Sequence, residues 1–189
     1  MDIAKIEAGF SMVLDGLGIQ HLGGHLKDTP RRTAEAWAGE LCAGLNEPAP
    51  QFDIFPAEEG YPAGLIALDR IPVKSICAHH LLPFVGEAVL AYVPGSNLCG
   101  LSRLSQVVNH FARRPQLQEQ LTQQIAAFLQ EQLQAAGVAV MIRATHFCME
   151  VRGVNHSGSM TTTALLGCLR DDPALRSEFL GLTRAGTAP

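Results

Sequence analysis

Two short clusters of cysteine and histidine lie far apart along this chain, and any fold that uses them together must bring their two segments into contact. The first is Cys77-Ala78-His79-His80 and the second is His146-Phe147-Cys148. Structural zinc usually takes four protein ligands, most simply from two Cys-x-x-Cys pairs, whereas Cys77, His80 and Cys148 offer three. The clusters therefore predict a metal centre with one position left for water. Bound zinc can lower the pKa of that water to about 7, far below the pKa of free water.

His79 and His146 stand beside the predicted ligands and have side chains that titrate near neutral pH, so we expect them to move protons. Residues two apart in a strand project to one face, which predicts that His146 and Cys148 point the same way while Phe147 points into the core. Three simpler interpretations remain open. His146 and Cys148 could be satisfied interior residues, His79 could be a surface histidine, and Cys77 could form a disulfide with Cys148. A cytoplasmic location disfavours the disulfide.

The composition excludes several classes of protein. A chain of 189 residues with 47% apolar content fits one domain with a real core. The net charge of -4 argues against a general nucleic-acid or membrane-surface binder. Neither a signal peptide nor a membrane-length apolar run is evident, which predicts a soluble, cytoplasmic protein. The remaining cysteines, Cys42, Cys99 and Cys168, are interpreted as buried apolar side chains rather than as a disulfide framework.

The amino-terminal third is predicted to be helical. Apolar residues at helical spacing indicate a helix from Ile3 to Leu17, and a second helix begins at Thr29-Pro30 and ends near Gly44. Residues 46–64 are rich in proline and glycine and indicate a loop. We therefore expect residues 1–64 to form a helical segment with a linker and residues 65–189 to form the core of a single domain.

The core alternates strand-like and helical patterns. The sequence predicts strands over 66–76, 87–93, 138–150 and 160–169, and helices over 101–111, 117–133 and 173–182. This order predicts an α+β fold in which a four-stranded antiparallel sheet carries two helices on one face. The other face and both edges of such a sheet need cover. We expect a ring in which the sheets of several subunits join into a barrel.

Other polar residues suggest how an anionic purine could be bound. Ser102 and Arg103 open a predicted helix, where free backbone N–H groups favour an anion. A carboxylate such as Glu119, with Gln118 beside it, can accept a pair of hydrogen bonds from a guanine-like edge. A solvated surface role is the alternative for each of these residues, and spacing does not choose between them. The same applies to Arg32, Arg113, Arg114 and Arg152.

Taken together, the segments resemble the GTP cyclohydrolase type I family. The resemblance covers most of the chain and rests on Asp28-Thr29-Pro30-Arg31-Arg32, Gly100-Leu101-Ser102-Arg103, Arg113-Arg114-Pro115-Gln116, Gln118-Glu119-Gln120-Leu121-Thr122, Cys148-Met149-Glu150-Val151-Arg152-Gly153 and Glu178-Phe179-Leu180. It implies the tunnelling fold, strand-strand-helix-helix-strand-strand. It also implies a decamer of two face-to-face pentamers with active sites at subunit boundaries.

The resemblance further implies a reaction and a set of roles. The family hydrolyses the imidazole ring of GTP, releases formate and forms 7,8-dihydroneopterin triphosphate, the first step of folate and tetrahydropterin biosynthesis. By motif, the zinc ligands would be Cys77, His80 and Cys148, and the proton-transfer pair would be His79 and His146. The remaining roles would be guanine recognition by Gln118 and Glu119, and triphosphate binding by Ser102, Arg103, Arg152 and Arg32.

Three positions depart from the family pattern. Ala78 stands where the family has glutamate, Arg103 where it usually has lysine, and Gln106 where it usually has arginine. Arginine and lysine are not equivalent towards phosphate, and losing a charge-assisted hydrogen bond costs about 1.5–3 kcal/mol. Glu150 adds negative charge close to Arg152. The chemistry is therefore expected to be retained and the grip on phosphate weakened.

Two alternatives follow from these departures. The first is a diverged relative that uses the same zinc on a purine or pterin with fewer phosphates. The second is a non-catalytic ring that binds a nucleotide and keeps zinc as a structural staple. The departures at Ala78 and Gln106 favour the second alternative. The presence of His79 and His146 disfavours it, because a structural zinc site needs no groups that transfer protons.

Overall fold

The structure, a computed structural model, describes residues 1–19, 24–58 and 64–185, with side chains described as far as 183. Its helices are α1 (Ile3–Gly16), α2 (Thr29–Ala36), α3 (Leu101–Ala112), α4 (Gln118–Leu133), α5 (Phe147–Glu150), α6 (Cys168–Asp171) and α7 (Pro173–Ala185). Its strands are β1 (Ile54–Pro56), β2 (Ile66–Cys77), β3 (Pro83–Val93), β4 (Asn97–Cys99), β5 (Pro115–Gln116), β6 (Gly137–His146) and β7 (Ser159–Gly167). No helix in these ranges is long and apolar enough to cross a membrane.

The main sheet has the strand order β5-β2-β3-β6-β7. Its pairings are antiparallel except for the short β5, which runs parallel to β2. The long helices α3 and α4 interrupt the sheet between β3 and β6, so the chain follows the predicted order of two strands, two helices and two strands. The α+β class and the antiparallel hairpin of β2 and β3 are confirmed.

Two apolar clusters cover the two faces of the sheet. The larger joins alternate residues of β2, such as Ile71 and Val73, to Leu104, Leu121 and Ile125 of the long helices. The smaller places Phe179 of α7 against the opposite face of β3 and β6. Because both faces of β3 and β6 are covered, these strands are buried almost continuously over 88–93 and 137–140. The edge strand β2 instead keeps the alternation of a half-buried strand.

Several predicted boundaries are wrong, most importantly near the second cluster. The strand predicted over 138–150 ends at His146, where the short helix α5 begins, so Cys148 lies on a helical turn and Phe147 is only half-buried. The helix predicted to stop at Gly137 ends at Leu133, and Gln134 adopts a left-handed conformation with φ 48°. Local periodicity could not locate these ends because apolar residues continue past each of them.

The amino-terminal prediction is correct in outline only. The second helix is regular as far as Ala36 and then widens into a π-helical turn over Trp37–Leu41. Part of the predicted loop is a strand, because β1 pairs with β4, with Ile54 opposite Cys99. Residues 59–63 of that loop lie outside the described ranges. The division at residue 64 stays a prediction.

Both edges of the main sheet expose backbone over much of their length. Within the described ranges, no strand pairs with the outer side of β7, and β5 covers only Ile76 and Cys77 of β2. Unpaired edges of this length invite pairing with another chain. The predicted ring is one way to cover them.

Gly86 offers a test of the strand pairing that supports the site. It lies opposite Ala144 in the β3–β6 pair, and an added methyl group would overlap the carbonyl oxygen of Arg143 and the backbone of Ala144. We expect Gly86→Ala to lower the free energy of unfolding by about 1–3 kcal/mol, because the paired backbone has no room to move. The measurement is the urea midpoint at fixed protein concentration.

Gly9→Ala is the matched control. Gly9 lies in α1, and an added methyl group there has no atom within 4 Å to meet. Since alanine has the higher helix propensity, this variant should unfold at the same or a higher urea concentration. Equal midpoints for Gly86→Ala and the unmodified protein would contradict the tight approach of β3 to β6.

Candidate metal centre

The two cysteine-histidine clusters meet at one end of the sheet. Strand β3 lies between β2 and β6, with Ile76 opposite Pro83 and Phe84 opposite His146. The last residue of β2 and the last residue of β6 therefore flank the start of β3. As a result, the ligating atoms of Cys77, His146 and Cys148 all lie within 4.8 Å of one another.

The donor set fits a zinc-like ion. Two thiols and an imidazole suit zinc, and tetrahedral bonds of about 2.0–2.3 Å hold ligand atoms about 3.3–3.8 Å apart, so a contraction of about 1 Å or less is needed. Burial raises the pKa of the Cys148 thiol, and the adjacent Cys77 thiol raises it further. A divalent cation between the two sulfurs would favour loss of the thiol protons and so oppose the raised pKa, because metals bind thiolates.

His80 brings a further imidazole to the same place. Cys77 and Leu82 close the turn after β2 through a backbone hydrogen bond in which Cys77 N–H donates to the Leu82 carbonyl at 2.8 Å. His80 is exposed in this turn, and its Nδ1 lies 3.9 Å from Cys77 Sγ. His79 is exposed beside it, with the two rings edge to face and their centroids 6.2 Å apart. His80 thus lies beside Cys77, and His79 lies beside His80.

His146 is held rigidly by Gln118, the first residue of α4. Gln118 is completely buried, and its Nε2 donates to Ile142 O, Met160 O and Thr162 Oγ1, each at 3.1 Å. Its Oε1 lies 2.8 Å from His146 Nε2. Because the amide nitrogen faces three acceptors, the oxygen must face the ring and accept from Nε2–H. Neutral His146 therefore carries its proton on Nε2 and keeps a lone pair on Nδ1.

Stacking and burial complete the environment of His146. The ring of Phe84 stacks on the imidazole with centroids 4.6 Å apart and planes 9° apart. Burial lowers the pKa of His146, and the negative charge of Glu119 opposes this shift only in part. The imidazole is therefore mainly neutral near pH 7, the form that can accept a proton.

The predicted substrate residues divide into two groups. Glu119 is exposed next to Gln118, and its charge acts on His146, while the charge of Arg152 acts on Cys148. Gln118, Glu119 and Arg152 therefore belong to the metal end of the sheet.

The second group lies elsewhere. Ser102 and Arg103 occupy the first turn of α3, whereas the segment after the last turn of α3 pairs with Cys77. A helix of 12 residues is about 18 Å long, so these residues lie far from the sulfurs of their own chain. Arg103 forms an ion pair with Asp53 and also donates from Nη1 to Gln106 Oε1 at 2.8 Å. Arg32 is exposed and lies 3.5 Å from Asp28.

Sequence reasoning missed three contributions to this arrangement. Phe84 had a usable signal, because its place at the start of the second strand of a hairpin puts it beside the turn that holds the metal residues. The sequence carried no signal that Gln118 would hold His146, since its other partners Met160 and Thr162 lie about 40 residues downstream. Asp53 had none either, because it lies in a segment predicted to be a loop.

Comparisons with known proteins give a consistent result. A sequence model of a family described as GTP cyclohydrolase I matches residues 6–184. Curated relatives named GTP cyclohydrolase 1 include a Hahella chejuensis protein that is 39% identical over 185 residues, or 97% of this chain and 98% of its own length. The relative from Carboxydothermus hydrogenoformans is 42% identical over 96% of this chain and 95% of its own length. The Streptococcus thermophilus relative is 43% identical over 95% and 96%, respectively.

A solved structure is more distant. The archaeosine synthase QueF-Like in its apo form is 16% identical, with a TM-score of 0.46 over 56% of this chain and 95% of its own.

The cysteine pair can be tested by metal binding. We expect Cys77→Ser and Cys148→Ser each to weaken Co²⁺ binding by more than the ~10- to 100-fold that loss of a residue orienting a ligand costs. Both variants should also weaken the thiolate-to-cobalt charge-transfer absorption. Cys168→Ser is the control, since Cys168 lies at the far end of β7 and outside the cluster. Unchanged cobalt spectra in both Cys77→Ser and Cys148→Ser would contradict a metal centre at these cysteines.

Proposed function

The chain belongs to the GTP cyclohydrolase I family, and from that premise we propose that it hydrolyses the imidazole ring of GTP, releases formate and forms 7,8-dihydroneopterin triphosphate. This is the first step of folate and tetrahydropterin biosynthesis. The observation that carries the proposal is the convergence of Cys77, Cys148 and a neutral, oriented His146 at the end of the sheet.

We propose Zn²⁺ as the cofactor, held by Cys77, Cys148 and His80. When bound with an open position, zinc lowers the pKa of water and so supplies hydroxide at neutral pH. His80 is favoured over His146 as the third ligand because it is exposed in a turn, where its ring can rotate towards the sulfurs. His146 is fixed instead between Gln118 and Phe84.

The other polar residues of the centre have separate tasks in this proposal. The free Nδ1 of His146 would accept a proton from the water that adds to C8 of the purine, and the exposed His79 would deliver one to the leaving nitrogen. Glu119 accepts hydrogen bonds from the guanine edge. Gln118 was expected from the sequence to share that role, but its side chain is buried and its amide is already bound. We therefore assign Gln118 to holding His146.

A ring would bring the remaining substrate residues to the metal. Strand β7 begins beside the metal centre, since Gln118 donates to Met160 O and Thr162 Oγ1. Helix α3 packs along β2, the strand at the opposite side of the sheet. Joining β2 of one copy to β7 of the next would place helix α3 of one subunit, which carries Ser102 and Arg103, beside the sheet of its neighbour.

Exposed apolar side chains support such contacts between copies. Val151 and Val154 follow α5, and Leu101 begins α3; their exposed fractions are 63%, 73% and 57%. Such side chains are commonly covered by a partner when they cluster beside a functional site. We propose a decamer of two pentamers in which Ser102, Arg103, Arg32 and Arg152 meet the triphosphate. A cytoplasmic location stays a prediction from the sequence.

A second candidate function rests on the Arg103–Asp53 pair. Arg103 was expected to bind the triphosphate, but Asp53 of the same chain already neutralises part of its charge. This favours a relative that acts on a purine nucleotide with fewer phosphates.

The reaction with a phosphate series separates these functions. The zinc-loaded protein is incubated with GTP, GDP, GMP and guanosine, and formate and pterin fluorescence are measured. We expect kcat/KM to fall at least about tenfold from GTP to guanosine, because each lost charge-assisted contact costs about 1.5–3 kcal/mol. Equal values across the series would support the relative that needs fewer phosphates. Absence of formate from every substrate would support the non-catalytic ring.

The histidine assignments predict different outcomes for two variants. His80→Ala should lose zinc, because it removes a proposed ligand. His146→Ala should keep its zinc while kcat falls about 10²- to 10⁴-fold, the usual contribution of a general acid-base group. Zinc content is measured by elemental analysis, and turnover is measured on zinc-loaded protein. Loss of zinc from His146→Ala with full retention in His80→Ala would exchange the two roles.

Gln118→Leu extends the same test to the residue behind His146. We expect retained zinc and a lower kcat, because the tautomer and position of His146 are no longer fixed. Gln130→Leu is the control, since Gln130 lies near the opposite end of α4, where its Nε2 donates to Ala135 O. Both variants should lose about 1–3 kcal/mol of stability. Equal kcat values for the two variants would make Gln118 merely structural.

A further inference from the structure

The carboxyl-terminal end of α3 holds a buried histidine beside a guanidinium group. His110 lies in the last turn of α3 and is only 9% exposed. Its Nε2 lies 3.1 Å from Nη2 of Arg114. A guanidinium group can only donate hydrogen bonds, so Nε2 must be the acceptor. His110 is therefore neutral in this contact and carries its proton on Nδ1.

Arg114 depends on this imidazole because it has no carboxylate partner. Among the ion pairs of the described residues, none includes Arg114. Its guanidinium group lies over the ring of Phe111, 5.0 Å from the ring centroid, and its Nε is buried without a hydrogen-bond partner. The lone pair of His110 is therefore the acceptor that this half-buried cation uses.

The charged groups around His110 oppose its protonation. They are Arg113 and Arg114, which follow α3, and Glu47, which comes from the segment after the turn over Ala43–Leu45. Burial lowers the pKa of His110 and Arg114 lowers it further, while Glu47 opposes this shift only in part. Glu47 is already paired with Arg113. A proton on His110 would thus place two cations side by side and remove the acceptor of Arg114.

This contact lies where three segments pack against one another. Gly44 N–H donates to Arg113 O at 3.0 Å, and a methyl group added to Gly44 would overlap His110 O. On the other side, Ser75 Oγ of β2 donates to Arg114 O at 3.3 Å. The end of α3 therefore cannot move away from a repelling charge without disturbing both of its neighbours.

Strand β5 connects this junction to the first cysteine-histidine cluster. Gln116 of β5 pairs with Cys77, and Ala78 N–H donates to Gln116 O at 3.2 Å. Gln116 Nε2 in turn donates to Phe111 O at 2.6 Å. Because Gln116 is only two residues from Arg114, a shift of Arg114 reaches the turn that follows β2.

We propose that the His110–Arg114 contact is a proton-sensitive contact that holds β5 against the end of β2. At neutral pH the imidazole accepts from Arg114 and the junction is closed. In mild acid the imidazolium repels Arg114, and the end of α3, the turn over Ala43–Leu45 and β5 separate. The turn after β2 then loses its hydrogen bond from Ala78 N–H to Gln116 O. This inference goes beyond the proposed function and does not depend on it.

Acid should therefore lower the stability of the protein through His110. The ordinary pKa of histidine is about 6.5, and the folded state lowers it, so the unfolded chain binds the proton more readily. The contribution of His110 is fully present above about pH 6.5 and is lost as the pH falls below that value. At about pH 5.5 one such histidine can lower the ratio of folded to unfolded protein at most about tenfold.

Urea unfolding of the zinc-loaded, assembled protein at about pH 7.5 and about pH 5.5 tests this contribution. His110→Gln keeps a side-chain oxygen that can accept from Arg114 but does not titrate, so we expect a smaller loss in acid than in the unmodified protein. His25→Gln is the matched control, since His25 is exposed on the short turn over Gly24–Leu26. It should lose as much stability in acid as the unmodified protein.

Arg114→Met tests the partner of His110. Without the adjacent guanidinium group, protonation of His110 meets less opposition, so the loss between the two pH values should again be smaller. Each variant is compared with itself at the two pH values, so a uniform loss of stability does not imitate the effect. All variants are measured at the same protein concentration.

Hydrogen exchange locates the opening within the molecule. In the unmodified protein, protection of the backbone amides over 42–46 and 113–117 should fall by up to about tenfold from about pH 7.5 to about pH 5.5, after correction for the intrinsic exchange rates. The same segments of His110→Gln should keep their protection. Helix α7 packs on the opposite face of the sheet and is the internal control.

The results have direct consequences for the proposal. Equal losses of stability in His110→Gln and the unmodified protein would overturn it, and so would protection over 113–117 that does not change in acid. An acid loss in Arg114→Met as large as in the unmodified protein would refute the role of the arginine. None of these measurements requires turnover, so a protein that forms no pterin from GTP can still support this contact, and an active one can still refute it.

Discussion

The pairing of β3 with both β2 and β6 is the constraint on which the rest of the structure depends. Cys77 is the last residue of β2 and His146 is the last residue of β6. These two strands are not paired with each other, and their ends come together because β3 begins between them. A slip of one residue in either pairing would turn every side chain of a strand to the opposite face. Burial of β3 and β6 on both faces makes such a slip costly, so the core that stabilises the sheet also sets the geometry of the candidate metal centre.

Gln118 links that core to the chemistry. Its amide is buried beneath the end of the sheet and joins β6, β7 and α4 through hydrogen bonds to Ile142, Thr162 and His146. A buried amide is costly unless its groups are bonded, and here each end has partners. The same bonds that stabilise the packing of α4 also select the tautomer of His146. Structural and functional demands therefore coincide in one side chain.

Binding of the phosphates depends on local charge rather than on buried hydrogen bonds. The chain as a whole is acidic, so an anionic substrate must be met by local cations. Arg103, one of the cations proposed to bind the triphosphate, is paired with Asp53.

The sequence by itself predicted the order of the elements, the α+β class and the two cysteine-histidine clusters that the structure brings together. Each of these follows from short-range patterns, namely helical and strand periodicity and the local spacing of Cys77, His79 and His80. Helix and strand ends were predicted poorly where apolar residues ran on, as at His146 and Leu133. Only the tertiary structure decided that Cys148 lies on a helical turn, that Gln118 faces His146 and that Asp53 neutralises Arg103. These are contacts between residues distant in the chain, and they depend on how strands pair and helices pack, which no local pattern records.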